Sequence, residues 1–141
     1  MSGWILDTNV LSELRKPGCD ERVRRWIAAR RALDLYVSSV TFAEIRFGIN
    51  RLNDPNRRHA LDRWLEGELR PWFGDRVLEI DEPTILRWRE IVERGRLQGR
   101  TFSQPDLFIA ASASLHGLCL ATRDTDDFEG TGVPVVNPWK A

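Results

Sequence analysis

Cysteine is nearly absent from this chain of 141 residues: Cys19 and Cys119 stand far apart, and neither belongs to a C-x-x-C or Cys/His pattern of zinc-ligand spacing. That excludes a disulfide scaffold and a structural zinc, and it points to two free thiols in a reducing cytosol. Lysine is as scarce, at Lys16 and Lys140 only, so arginine supplies nearly all of the 21 basic side chains. A guanidinium holds a phosphate through two parallel hydrogen bonds, which an ammonium cannot do. Excess charge of one sign is missing too: 21 acidic residues balance the basic ones, which excludes a protein that coats nucleic acid through a general positive surplus. Long apolar runs are lacking. The longest mainly apolar stretch, Leu107 to Ala121, is broken by serines, His116 and Gly117 and is too short and polar to span a bilayer, and the Met-Ser-Gly-Trp opening has no basic leader region. There is no G-x-G-x-x-G or Walker-type loop, which disfavours nucleotide-cofactor enzymes, and no repeat or low-complexity segment. Marked loop composition is confined to Asp54-Pro55-Asn56 and Gly130-Thr131-Gly132, so one domain over residues 1–141 is expected. A chain of about 150 residues buries roughly 68–70% of its unfolded surface and needs no covalent staple.

What is present is an alternation of short apolar runs with longer segments of helical period, the pattern of an α/β fold around a parallel sheet. Five strands are predicted at Gly3–Leu6, Leu35–Ser38, Arg76–Ile80, Leu118–Ala121 and Val133–Val136. Ala60, Leu61, Trp64, Leu65, Leu69 and Trp72 recur at three- and four-residue intervals and predict one helix from about Asn56 to Phe73. Ile85, Trp88, Ile91 and Val92 predict another over about Glu82 to Gly95. Val23, Trp26 and Ile27 mark a third, preceded by a Pro17-Gly18 turn and capped by Asp20. Most of the tryptophans lie on such stripes and read as packing rather than base-stacking platforms.

In an open parallel sheet every strand delivers its C-terminal residue to the same edge, where ligands bind. The first strand is followed by Asp7-Thr8-Asn9, the second leads within a turn of helix to Glu44, Pro105-Asp106 opens an apolar helix, and the fourth strand runs into Thr122-Arg123-Asp124. Four acids are thus expected at one rim. Taken singly, each has an ordinary structural role: Asp7 or Asn9 as a helix cap, Ser103 and Asp106 at capping-box spacing, Asp124 in an Asx turn with Asp126, Asp127 and Glu129 beside it. Glu44, among Phe42, Ala43, Ile45 and Phe47, is expected to be buried and in need of a partner. Carboxylates gathered without a cation repel one another, and a hard divalent ion such as Mg2+ or Mn2+ resolves the repulsion with oxygen ligands alone. His59 and His116 lack an i, i+4 partner and read as a surface residue and a helix-end residue.

The run Leu6-Asp7-Thr8-Asn9-Val10-Leu11-Ser12-Glu13 resembles the opening of PIN-domain ribonucleases, in particular the VapC-type and FitB-like toxins of bacterial toxin–antitoxin pairs. Ser38-Ser39-Val40-Thr41-Phe42-Ala43-Glu44-Ile45 resembles the second acidic motif of that family, and Asp106-Leu107-Phe108-Ile109-Ala110-Ala111 its D-x-x-I-A-A helix start. Residues 121–130, followed by Val135-Val136-Asn137-Pro138-Trp139, are similar to the FitB-like C-terminal signature. The likeness spans the whole chain in the expected order. It implies a three-layer α/β/α PIN domain with a five-stranded parallel sheet of order 3-2-1-4-5, and a cytoplasmic endoribonuclease that uses Mg2+ or Mn2+.

Carried over by position, Asp7, Glu44 and Asp106 match the family's most dependable metal-site acids, and Asp124 matches the fourth. An acid also stands at Asp127, so either could lie nearer the metal. Thr8, Asn9 and Thr122 resemble residues that orient those acids or the attacking water. Arg15, Lys16, Arg46, Arg51, Arg94, Arg96, Arg100 and Arg123 are candidate phosphate contacts, with Arg15, Arg46 and Arg123 singled out. The resemblance further implies a homodimer, an RNA substrate and a small antitoxin in a groove beside the site, and allows a larger complex that binds operator DNA through the antitoxin. Two rival readings are a catalytically silent PIN domain that binds RNA or assembles complexes, and a haloacid-dehalogenase-like phosphatase or receiver domain. The second pair normally places a lysine near its acids, which this chain lacks.

Overall fold

The structure, a computed structural model, describes residues 2–141. Its sheet has five parallel strands in the order β3-β2-β1-β4-β5: β1 (Trp4–Leu6), β2 (Leu35–Ser38), β3 (Val77–Leu78), β4 (Cys119–Ala121) and β5 (Val135–Val136). The expected strands and order are therefore present, with the edge strands trimmed. Each outer strand pairs on one side only, so fewer residues of β3 and β5 are held in the ladder.

Side chains alternate across the strands and build one core on each face. Leu6, Leu35, Val37, Val77 and Ala121 join a core with α1 (Thr8–Arg15), α2 (Glu21–Ala28), α3 (Ser39–Asn50) and the helical stretch of residues 55–73. Ile5, Tyr36, Leu78 and Leu120 face the other way, against α6 (Glu82–Leu97) and α7 (Gln104–His116). Three layers result.

Helix starts follow from local chemistry. Asp20 accepts from the Arg22 N–H and caps α2, and Asp54 accepts from Asn56 and Arg57 and caps α4 (Pro55–Trp64), whose first residue is a proline that has no N–H to satisfy. Gly117, at φ +66°, closes α7 in the left-handed conformation and sends the chain into β4. The predicted helix over 56–73 is not uniform. Leu65–Leu69 forms a π-helical turn between α4 and α5 (Arg70–Phe73), and the wider turn brings Leu61, Leu65, Leu69 and Phe73 onto the core at four-residue spacing, with Trp64 beside them. Trp72 and Ala60 fall outside that stripe, and Trp72 is 42% exposed.

The chain reverses direction across the sheet between β1 and β4, the point at which open α/β sheets place their ligands. Leu6 and Ala121 are paired in register, and the Asp7 N–H donates to the Ala121 carbonyl at 3.0 Å. Asp7 and Thr122 are therefore side by side at the C-terminal edge.

Candidate active site

The first residue past β1 is Asp7, which caps α1 and is only 7% exposed. Both its carboxylate oxygens are held: Oδ1 accepts from the Thr8 N–H at 2.8 Å, and Oδ2 accepts from the Thr122 hydroxyl at 2.8 Å. Thr122 is fully buried, and its hydroxyl is fully used. While donating to Asp7 it accepts from the Asp124 N–H at 3.1 Å and from Asn9 Nδ2 at 3.3 Å, which occupies both lone pairs. Asn9 completes the link: its Nδ2 also donates to Asp124 Oδ2 at 3.2 Å, and its Oδ1 accepts from the Arg123 N–H at 3.2 Å. Asn9 and Thr122 thus fix the carboxylates of Asp7 and Asp124 relative to each other. Thr8 contributes through its backbone.

Asp106 enters from the first turn of α7, where Ser103 caps the helix by accepting from the Asp106 N–H at 3.4 Å. Glu44 enters from the middle of α3. It is exposed, which corrects the expectation that it is buried. Thr41, Phe42, Ile45 and Ile49 form the inward stripe of α3, whereas Ala43, Glu44 and Phe47 point outward, so the phenylalanine that suggested burial around Glu44 is itself 60% exposed.

Asp7, Glu44, Asp106 and Asp124 line one cavity of about 600 Å³, together with Thr8, Asn9, Ser12, Ser103, Pro105 and Ile109. No lysine or arginine is among the lining residues. Burial raises the Asp7 carboxyl above its ordinary pKa against the pull of the Thr122 and Thr8 hydrogen bonds, and the charges of Asp106 and Asp124 push it further. Asp106 is raised by burial first, then by Asp127 and Asp124, with Ser103 opposing. Asp127 is exposed and does not line the cavity; it acts on Asp106 from outside.

Among the described residues no three His, Cys, Asp or Glu side chains converge closely enough to chelate an ion by themselves. A ring of carboxylates spread around a 600 Å³ cavity suits instead a hard divalent ion that keeps several waters and takes only one or two carboxylates directly. The donor set is all oxygen, which selects Mg2+ or Mn2+ over softer metals. The residues fit such a group.

Sequence reasoning did not single out Ser12 or Ser103 as cavity residues. Ser12 lies one turn beyond Thr8 on α1, a spacing that could have found it. The three singled-out arginines have separate fates. Arg46 pairs with Asp62 and with Glu66, the latter at 2.6 Å, so it ties α3 to the helical stretch that follows and does not stand free at the rim. Arg15 lies 5.8 Å from the Trp64 ring centroid, and Arg123 is exposed with its guanidinium 4.9 Å from that of Trp139.

Comparison with known proteins matches residues 4–133 to the PIN domain family. The chain is 39% identical over 136 residues to the VapC ribonuclease Y4jK of Sinorhizobium fredii, covering 96% of this chain and 97% of that protein. It is 38% identical over 135 residues to the toxin FitB of Neisseria gonorrhoeae, with 96% and 97% covered. Among solved structures, a chain in the crystal structure of FitAcB from Neisseria gonorrhoeae superposes with a TM-score of 0.92 at 37% identity, over 98% of this chain and 99% of that one.

Proposed function

The chain belongs to the PIN domain family, and from that premise we propose that it is the toxin of a type II toxin–antitoxin pair, an endoribonuclease that hydrolyses RNA phosphodiester bonds with a divalent metal. One observation carries the assignment of the site: four carboxylates from four separate parts of the chain line a single cavity that contains no cationic side chain. Asp7, Glu44, Asp106 and Asp124 would hold Mg2+, with Mn2+ as a substitute. Bound there, the ion supplies an activated water and neutralises charge at the phosphate.

The remaining work falls to the chain. Thr122 and the Thr8 amide keep Asp7 in one orientation, and Asn9 keeps Asp124 beside it. Asp7 and Asp106 stand at the N-termini of α1 and α7, where the helix dipoles offset part of the carboxylate crowding. Glu44, exposed on the α3 side, is not held by any comparable hydrogen bond among the described residues. Arg123, whose backbone is tied to Asn9, is the phosphate contact nearest this network, with Arg15 more distant on α1.

The antitoxin reading has a surface to rest on. Leu14, Leu61 and Trp64 line a groove of about 390 Å³ between α1 and α4, and α1 begins at Asp7. The groove lies at the far end of α1 from Asp7, so a partner segment that seats there and continues along α1 would set an arginine against the acids and compete with the metal. We place the protein in the cytoplasm as a homodimer, in complexes that bind operator DNA through the antitoxin; no described helix is long and apolar enough to cross a membrane. A silent PIN module accounts less well for the four acids, and relatives across most of the chain are named ribonucleases.

The test is cleavage of single-stranded RNA by purified protein. Activity should need Mg2+ or Mn2+, vanish with EDTA, return with Mn2+, and be lost in Asp7→Asn and Asp106→Asn. Undiminished cleavage in EDTA would overturn the metal reading.

A further inference from the structure

A second cavity, of about 510 Å³, lies against the opposite side of the first turn of α7. Ser103, Pro105 and Asp106 face the acids, whereas Gln104 and Leu107 line this neighbouring space. Its electrostatic character is the reverse of the first. Arg89, Arg96 and Arg100 line it, and no carboxylate does. Arg89 and Arg96 share Glu93, at 3.9 and 3.0 Å, but Arg100 has no ion-pair partner among the described residues.

Aromatic rings supply the walls, and they are held in place. Trp88 stacks on Phe108 with centroids 5.2 Å apart and an interplanar angle of 18°. Phe102 rests on Gly95 so closely that a Cβ there would come within 2.7 Å of its Cε2. The Arg100 stem crosses Gly130, where a Cβ would meet its Cδ at 2.9 Å, and its guanidinium carbon sits 5.4 Å from the Phe102 ring centroid. Glycine at 95 and at 130 is what lets the ring and the guanidinium lie where they do.

We propose that this cavity is a nucleotide subsite, in which a base of single-stranded RNA stacks on Phe102 and its phosphate is held by Arg100. Phe102 is half-buried, one part packed on the core and the rest lining the cavity beside the Arg100 guanidinium. A guanidinium beside an accessible part of an aromatic ring is an arrangement that binds single-stranded nucleic acid, because the phosphate satisfies the charge and any base offers a π-face. The two cavities flank the same first turn of α7, so a strand whose scissile phosphate lies at Asp106 brings a neighbouring nucleotide here as it crosses that turn. That the ligand is RNA rests on the ribonuclease reading above. The three-guanidinium lining calls for an anion, and the rings favour a nucleotide over an acidic peptide.

The experiment measures binding of fluorescently labelled single-stranded RNA decamers (rA, rC, rG and rU homopolymers) to the full chain in EDTA, by anisotropy. Parallel samples in Mn2+ report cleavage, and unlabelled pentaglutamate serves as competitor. Arg100→Gln and Phe102→Leu should each weaken decamer binding at least about fivefold, the loss expected for one stacked base or its phosphate. An abasic ribose scanned through the preferred decamer should weaken wild type at one position and add nothing in Phe102→Leu. Arg100 lies on an exposed loop, so its variant and the abasic scan still decide the matter should Phe102→Leu fail to fold. Cleavage with both variants binding as wild type overturns the subsite and leaves the ribonuclease reading standing. Variant-sensitive binding without cleavage in Mn2+ does the opposite. Displacement of RNA by pentaglutamate at equal affinity assigns the cavity to an acidic protein segment and overturns the proposal.

Discussion

Replacing Thr122 by valine keeps the shape of a fully buried side chain and deletes only its hydroxyl. In the native chain that hydroxyl donates to Asp7 Oδ2 at 2.8 Å and accepts from Asn9 and Asp124. A hydrogen bond to a charged group contributes about 1.5–3 kcal/mol, so Thr122→Val should cost about that much at pH values above the raised Asp7 pKa. The cost should depend on pH in a defined direction. Losing the Thr122 bond removes an influence that lowers the Asp7 pKa, so the folded variant holds its proton to higher pH than the folded native chain. More protons bound in the folded state make stability fall as pH rises, so the penalty should be smallest in acid, where Asp7 is protonated in both chains, and grow through the raised Asp7 pKa. Urea denaturation in EDTA at a series of pH values reads this directly. Cleavage should fall about 10- to 100-fold, as when a group orienting a metal ligand is lost, chiefly through a higher Mn2+ requirement. Thr122→Ser, which restores the hydroxyl, should recover most of both. A penalty that does not change with pH, or a valine variant with unchanged Mn2+ dependence, would refute the role assigned to this hydroxyl.

Glu44→Gln should leave the melting temperature close to native, because the residue is exposed, while removing most cleavage; thermal melts and an RNA assay on the same preparation check both. In EDTA the native protein should lose stability as pH rises above the ordinary carboxylate range, since Asp7 and Asp106 are both raised by burial and by neighbouring acids and bind more protons folded than unfolded. Mn2+ at about 100 times its dissociation constant should add about 2.7 kcal/mol at pH 7 and reverse the trend, measured again by urea. Arg46→Met should lower the melting temperature by a few degrees at most, because its two ion pairs are largely solvated, and leave the salt dependence of RNA binding unchanged.

Much of this architecture is written in local signals. The strands β1 and β2 are short apolar runs closed by a capping residue, Asp7 just past β1 and Ser38 as the last residue of β2, so both their positions and the helix starts are legible. Asp7, Asp106 and Asp124 follow from strand ends and helix starts alone. Three features did not follow. The π-helical turn at Leu65–Leu69 depends on the core accepting four-residue spacing, which a pattern cannot distinguish from ordinary helix. The exposure of Glu44 is hidden because Phe47, a hydrophobic side chain left in solvent, widens the apparent apolar face of α3. Arg46 gave no hint that Asp62 and Glu66, far along the chain, would take its guanidinium. Contacts between distant segments decide all three.

The bridge from Asn9 to Thr122 and Asp124 joins the first helix to residues more than a hundred positions later. During synthesis the opening strand emerges long before β4, and until then Asp7 lacks both the Ala121 carbonyl for its N–H and the hydroxyl for its carboxylate. A ribosome that stalls ahead of β4 therefore releases a fragment with no assembled centre. The chain carries its own delay: the capacity to cut proposed above arises only once nearly all of it has left the ribosome.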